Sequence, residues 1–235
     1  MKNWIMPIVL STVLAGCSTT QQAELEALRA EVEQLKNIQQ QVAVRVGLAE
    51  LVKPDTLPLS AEGKWIGDKS SDVVVIEYTD LHCPFCKKFQ QEIWPEFKKQ
   101  FVDTGEVAVL ARELPLSKLH PKAGYAAVFL RCTSQQGQYE LVKDRLFEIG
   151  NSITQETTAE IAEEFNLDAD KLTSCLSDTS VHEAVGRSIA DAQLLGIGGT
   201  PSFVVGRQKD GMLVDYQVVV GGSLEKLGAA IKALK

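Results

Sequence analysis

This 235-residue chain is short of several things, and each shortage closes a class of function. It has no basic surplus: 24 Lys and Arg stand against 31 Asp and Glu, a formal charge of -7, which offers no electrostatic footprint for nucleic acid. It has only three histidines, none at paired ligand spacing, and a single C-x-x-C, whereas a structural zinc site needs four ligands, usually as two close pairs. No metal and no cofactor are therefore expected. Past the first residues no apolar run is long enough to cross a bilayer. What is present is the make-up of a globular protein with a core: 45% hydrophobic and 23% charged residues.

The start of the chain, "MKNWIMPIVLSTVLAGC", has one early lysine, an apolar run over 4–14, then small residues before Cys17. That is the layout of an export signal, and its run is short for a membrane span. "LAGC" resembles the bacterial lipoprotein box. That resemblance implies a leader over 1–16, lipidation of Cys17, and attachment to a membrane on the exported side, in the periplasm. Ser18 stands where an aspartate would favour the inner membrane, so the reading leans toward the outer one. An ordinary signal peptide that happens to end near a cysteine is the alternative. Exported proteins live where disulfides persist. Setting Cys17 aside leaves Cys83, Cys86, Cys132 and Cys175, an even number suited to two disulfides.

Residues 17–52 read as a helical stalk. Leu25, Leu28, Val32, Leu35, Gln39, Val42, Val46 and Ala49 alternate in steps of three and four, an a/d heptad seam with its first a position at Leu25. The segment is either a self-association helix, giving a homo-oligomer, or a solvated spacer between anchor and domain. Pro54, Pro58 and Gly63 then break the periodicity, and 53–71 reads as a linker or the lead-in to the main domain.

Over 72–118 the pattern is strand, helix, strand. "DVVVIEYTD" is a buried strand, "PFCKKFQQEIWPEFKKQF" a helix kinked at Pro95, and "EVAVLARELPL" a second strand. Such a βαβ unit implies parallel strands and a right-handed crossover. Residues 119–193 carry helical spacing throughout and read as an all-helical insertion ended by Gly196. Over 194–235, "TPSFVV" and "DYQVVVGG" flank an Asp-Gly turn as an antiparallel hairpin, and "SLEKLGAAIKALK" closes the chain as a helix with Ser223 as N-cap.

The chemistry centres on "CPFC". Cys83 falls where the first strand ends and the helix begins. Unpaired N–H groups and the positive end of the helix dipole stabilise a thiolate there, the reactive form of cysteine. Cys86, one turn on, is close enough to close a disulfide and to resolve a mixed disulfide. An i, i+3 bridge closes too small a loop to act as a staple.

"CPFC" at a strand-to-helix junction, Glu77 six positions before it, an inserted helical block and "GGTP" ahead of a hairpin together resemble the DsbA-like thioredoxin-fold thiol:disulfide oxidoreductases, over 72–235. The resemblance implies an α/β thioredoxin fold with a helical insertion. It makes Cys83 the exposed nucleophile, Cys86 its buried partner, Pro201 a cis-proline facing the pair and Thr200 a neighbour of the sulfurs. Glu77, on a strand buried on both sides, would have a raised pKa and relay a proton to or from Cys86; the alternative is an ordinary solvated acid. Phe85 departs from the family's strongest oxidant, which has a histidine at that place, and a phenyl ring donates no hydrogen bond to a thiolate. Oxidase work follows from the resemblance, isomerase or reductase work from Thr200 and the stalk, and a non-catalytic peptide-binding lipoprotein is a further alternative. The implied partners are exported proteins with cysteines and a membrane or soluble redox partner. Cys132 and Cys175 lie in separate helices of the insertion and are expected to form a structural disulfide by the even count. His120 and His182 read as capping or surface groups. His82 would tune the thiolate only if protonated.

Overall fold

The computed structural model describes residues 15–48, 51–59 and 62–235. The expected leader therefore lies outside the described residues except for its last two positions. Helix α1 (Ala15–Arg45) is a continuous 31-residue helix, and no helix among the described residues is long and apolar enough to cross a membrane.

The sheet is built around β3 (Val73–Thr79), where every residue is buried. It pairs in parallel with β4 (Val107–Glu113), as a βαβ unit requires, and antiparallel with β5 (Ser202–Lys209). Strand β6 (Met212–Val220) returns beside β5 through Asp210 and Gly211, whose φ values of +50° and +76° make the two-residue turn that suits hairpin twist. The stretch read as a linker contributes two short strands. Strand β1 (Leu57–Pro58) joins β6 and β2 (Lys64–Ile66) joins β4, giving the order β1-β6-β5-β3-β4-β2. The two sit at opposite edges of the sheet, where a two- or three-residue run suffices to pair outer N–H and C=O groups but leaves no periodicity to read.

Alternation along the strands separates two cores. Val73 and Val75 face one side with Val109, Ala111, Phe203 and Val205; Val74, Ile76 and Tyr78 face the other with Ala108, Leu110 and Val204. The first side is covered by the helical run 84–102, by the insertion and by the closing helix. The run begins as α2 (Pro84–Lys88), widens to a π-helical turn at Phe89–Ile93, and resumes as α3 (Trp94–Phe97) before a second π turn at Lys98–Val102. Pro95 explains the first widening. It has no N–H to give to the Gln91 carbonyl and its ring would crowd that oxygen, so the chain shifts to the i+5 bond that Trp94 N–H makes to Phe89.

The insertion is helical throughout: α4 (Ala123–Gln135), α5 (Tyr139–Ile149), α6 (Gln155–Glu164), α7 (Ala169–Leu176) and α8 (Thr179–Leu194), with Gly196 just past its end at φ +70°. Three of these starts are capped by side chains: Thr154, Asp168 and Asp178 accept from Thr157, Lys171 and Ser180 N–H groups. Helix α9 (Leu224–Lys232) starts at Ser223, whose hydroxyl oxygen accepts from the Lys226 N–H as expected. Cys132 on α4 and Cys175 on α7 form a disulfide with their Cα atoms 5.7 Å apart.

That bridge closes a loop of 43 residues. Chain-entropy scaling gives such a cross-link about 4 kcal/mol against unfolding. The double variant Cys132→Ala/Cys175→Ala is expected to unfold at lower urea by an amount of that order in equilibrium denaturation, while the Cys83 thiol keeps its alkylation rate.

Candidate functional site

Strand β3 ends at Thr79 and the chain turns through Asp80, Leu81 and His82 into Cys83, the N-cap of α2, with Pro84 as the first helical residue. Proline belongs there, because the N–H it lacks would have had no partner inside the helix. Asp80 braces the turn. Its buried carboxylate accepts from the His82 N–H (2.8 Å) and the Leu116 N–H (2.8 Å) and lies 2.9 Å from the His120 ring Nδ1, while its carbonyl accepts from the Cys83 N–H (3.0 Å). One side chain thus ties the turn that carries Cys83 to the β4–α4 connection. His120 has a structural role here, and His182 donates from Nε2 to the Leu176 carbonyl oxygen, far along the chain in the insertion. His82 is buried, neither ring nitrogen has a partner among the described residues, and burial pushes its pKa down, so it stands neutral beside Cys83 at pH 7.

Opposite the turn, the Thr200–Pro201 peptide bond is cis. In its protonated form the Cys83 thiol donates to the Thr200 carbonyl oxygen at 3.4 Å. The structure brings Cys83, Cys86, Thr200 and Pro201 together as the sequence reading required, with both cysteines as free thiols. It corrects one expectation. Cys83 is not openly exposed: it keeps 5% of its surface against 1% for Cys86, because the Thr200–Pro201 loop lies over the sulfur.

The two sulfurs are held in different protonation states. The Cys86 thiol hydrogen bond lowers the Cys83 pKa to about 5, against the opposing effect of burial, and Thr200 and the backbone N–H groups of Cys86 and Phe85 add to it. The concern that Phe85 cannot stabilise a thiolate applies to its ring only; its main-chain N–H does so. Cys86 goes the other way: burial, then the bond it gives to Cys83, push its thiol well up, so it stays protonated.

On the same covered side of the sheet lies a cluster of buried charges. Glu77 and Ala111 are register partners, so Glu77 and Glu113 project from the same face of the sheet. Lys143 of α5 donates to both oxygens of Glu77, at 3.0 and 2.7 Å, and both side chains are buried from solvent. Arg131 of α4 donates from Nε to Glu113 at 2.6 Å. Burial raises the Glu113 pKa and Arg131 opposes the rise. Tyr139, one turn before Lys143, has its pKa raised by burial and by the neighbouring Glu113 and Glu77. Thr79, on the same face two residues beyond Glu77, adds to the surroundings of Cys86. The sequence reading found Glu77 but neither cation nor Asp80. A signal existed for Lys143: with Tyr139, Val142, Leu146 and Phe147 it occupies the apolar stripe of α5, where a lysine needs an anion.

Beside the sulfurs runs an open groove of about 660 Å³ bordered by Phe85, Phe89, Ile93, Pro201, Val220 and Leu224. Phe85 and Val220 are 70% and 66% exposed, unusual for such large apolar groups. Its floor depends on Gly222, where a Cβ would sit 2.5 Å from the Phe89 ring; that ring packs tilted at 4.8 Å against Phe203.

With this geometry in place, comparison with known proteins is informative. A thioredoxin family model matches residues 60–218. Among curated proteins, Na(+)/H(+) antiporter NhaA 3 of Salinispora tropica is 30% identical over 146 residues, 62% of this chain and 22% of that protein. The "Putative protein-disulfide oxidoreductase" of Rickettsia bellii is 27% identical over 150 residues, 60% of this chain and 55% of that protein. This chain thus spans about a fifth to about half of the length of these relatives. Among solved structures, DsbA2 of Pseudomonas aeruginosa superposes with a TM-score of 0.59 at 26% identity, covering 75% of this chain and 96% of that one. Alpha-DsbA1 of Wolbachia pipientis gives 0.63 at 24% identity, covering 79% and 94%.

Two outcomes follow from the electrostatics. The depressed Cys83 pKa stabilises the folded dithiol form; the gain is complete above the unfolded thiol's pKa of about 8.5 and is lost as pH falls through about 5. Cys86 has the opposite sign and erodes stability above about pH 8.5, where the unfolded thiol ionises. Alkylation of Cys83 is therefore expected to inflect near pH 5, and the stability of the dithiol form, measured by denaturant titration, to rise from pH 5 and turn over in the alkaline range. For the ion pair, Lys143→Met is expected to cost about 3–5 kcal/mol by leaving Glu77 buried and unpaired. Glu77→Leu/Lys143→Met should regain much of that in the same titration; a double variant as unstable as the single would mean that packing, not charge, is at stake.

Proposed function

We propose that this chain, which belongs to the thioredoxin family and has the DsbA-like form of its fold, is an exported thiol–disulfide oxidoreductase acting on cysteines of other exported proteins. The observation that carries the reading is the unequal pair: one sulfur ionised at neutral pH at a helix start, the other protonated behind it, both under a cis Thr200–Pro201 bond. Electrons flow as follows. With Cys83 and Cys86 joined, a substrate thiolate attacks the Cys83 sulfur, forming a mixed disulfide and releasing Cys86, which takes up a proton. A second substrate thiolate then attacks the substrate sulfur. A disulfide forms in the substrate, and Cys83 leaves as a thiolate with both electrons retained on the pair. A leaving thiol of low pKa departs faster, and a stabilised dithiol makes the disulfide form the stronger oxidant, so the pKa of about 5 favours disulfide donation. A partner disulfide, on a membrane or soluble redox protein, takes the two electrons back.

Glu77 is assigned the proton relay to Cys86, held in place by Lys143. The groove with Phe85, Pro201 and Val220 suits an extended, apolar substrate segment. Lipidation of Cys17 and a periplasmic, outer-membrane location complete the proposal. Isomerase or reductase work at the same pair is the second reading, favoured by Thr200 ahead of Pro201 and by the stalk. A non-catalytic peptide binder has the intact pair against it.

The test is oxidative refolding of a reduced protein together with equilibration against glutathione. Wild type should restore activity to the test protein, Cys83→Ser should not, and Cys86→Ser, once glutathione disulfide has capped its Cys83 sulfur, should accumulate the mixed disulfide with the test protein. Refolding by Cys83→Ser at the wild-type rate would remove the enzyme reading. A strongly reducing equilibrium would move the assignment from donor to isomerase or reductase.

A further inference from the structure

Helix α1 carries an apolar seam that no other described residue covers. Leu25, Leu28, Val32, Leu35, Val42 and Val46 are 45–62% exposed, in steps of three, four and seven along about 31 Å of helix at roughly 1.5 Å per residue. The rest of the protein uses another part of the same helix. Gln40 and Val44, half-buried on the face away from the seam, and buried Ala43 on its flank, pack on α8 beside Ala190 and Leu194. The folded domain thus leaves the seam open and fixes the end of the helix from behind.

The flanking charges say what covers the seam. With Leu25 at a, Glu24 and Glu31 occupy g positions, and Arg29 and Lys36 the e positions of the heptads that follow; all four side chains are exposed. In a parallel, in-register pair of identical helices, each g residue meets the e residue five places on in its partner. Glu24 then meets Arg29 and Glu31 meets Lys36, twice over by symmetry. In an antiparallel pair g meets g and e meets e, which sets Glu against Glu and Arg against Lys. The pattern is self-complementary in one orientation only, and an unrelated partner would not require that. Within the helix Val32 at a between Leu28 and Leu35 at d suits two strands, Leu25 and Val42 extend the apolar seam, and Gln39, polar at an a position, pins the register. We propose that the α1 seam is the dimerisation surface of this protein, closing on a second copy as a parallel, in-register, two-stranded coil. Both domains then lie at the same end of one stalk and two Cys83–Cys86 pairs travel together. The inference is independent of the thiol chemistry.

Sedimentation equilibrium of the full chain in density-matched detergent tests it with charge-swapped variants. Wild type should be a dimer. Glu24→Lys/Glu31→Lys places Lys opposite Arg29 and Lys36, and Arg29→Glu/Lys36→Glu places Glu opposite Glu. Each alone should dimerise more weakly by on the order of tenfold or more. An equimolar mixture should recover wild-type affinity, since every pair is again attractive. Unchanged thermal unfolding of the domain and unchanged alkylation of Cys83 would keep loss of association apart from loss of fold or of the thiol reading. A monomeric wild type, or charge variants that associate alone as tightly as wild type, would overturn the proposal. A trimer would overturn its two-stranded form.

Discussion

A negative charge on one sulfur has to be held where little water reaches it, and the rest of the structure is arranged around that demand. Cys83 sits at the first turn of a helix, beside the N–H groups of Phe85 and Cys86 and the Cys86 thiol, and these outweigh the burial that opposes ionisation. They are fixed main-chain and near-main-chain donors, so no side chain has to be ordered when the sulfur becomes charged. Placing them requires a strand that stops at Thr79, a tight turn and a proline that starts the helix at once. Asp80 supplies the turn's rigidity by gathering two backbone N–H groups and the His120 ring onto one buried carboxylate.

The insertion does more than cover the sheet. Strands β3 and β4 carry Glu77 and Glu113 on their covered face, and a sheet buried on both sides cannot keep carboxylates there without counter-charges. Helices α4 and α5 provide them, as Arg131 and Lys143. A bare sheet with its connecting helix would expose both acids to water. The Cys132–Cys175 bridge ties α4 to α7 and so keeps the helix that carries Arg131 within the insertion.

Legibility in the sequence followed locality. The β3 and β4 strands, the Asp-Gly hairpin, the Ser223 cap and the junction at Cys83 each depend on a few consecutive residues, and each is found where the pattern puts it. The π turns either side of α3 were readable only as a kink, because Pro95 announces a broken bond but not how the helix absorbs it. The edge strands β1 and β2 were read as linker, since two or three residues next to prolines and a glycine show no period and pair only because β6 and β4 offer free edges. Cys83 was expected in the open. Its neighbour in the chain is a strongly exposed Phe85, and nothing local announces that a loop 117 residues away lies over the sulfur.

The sequence alone determined the C-x-x-C pair, its place at a strand-to-helix junction, the cis-proline candidate, and the heptad seam of the stalk, because spacing along one chain decides each of these. Only the tertiary structure decided how far Cys83 is covered, which cation meets Glu77, and which face of the described stalk stays open. Those depend on burial and on partners from distant helices: the same Glu77 would be a solvated acid without Lys143 above it, and the same Cys86 an ordinary thiol without the sheet and helix that exclude water from it.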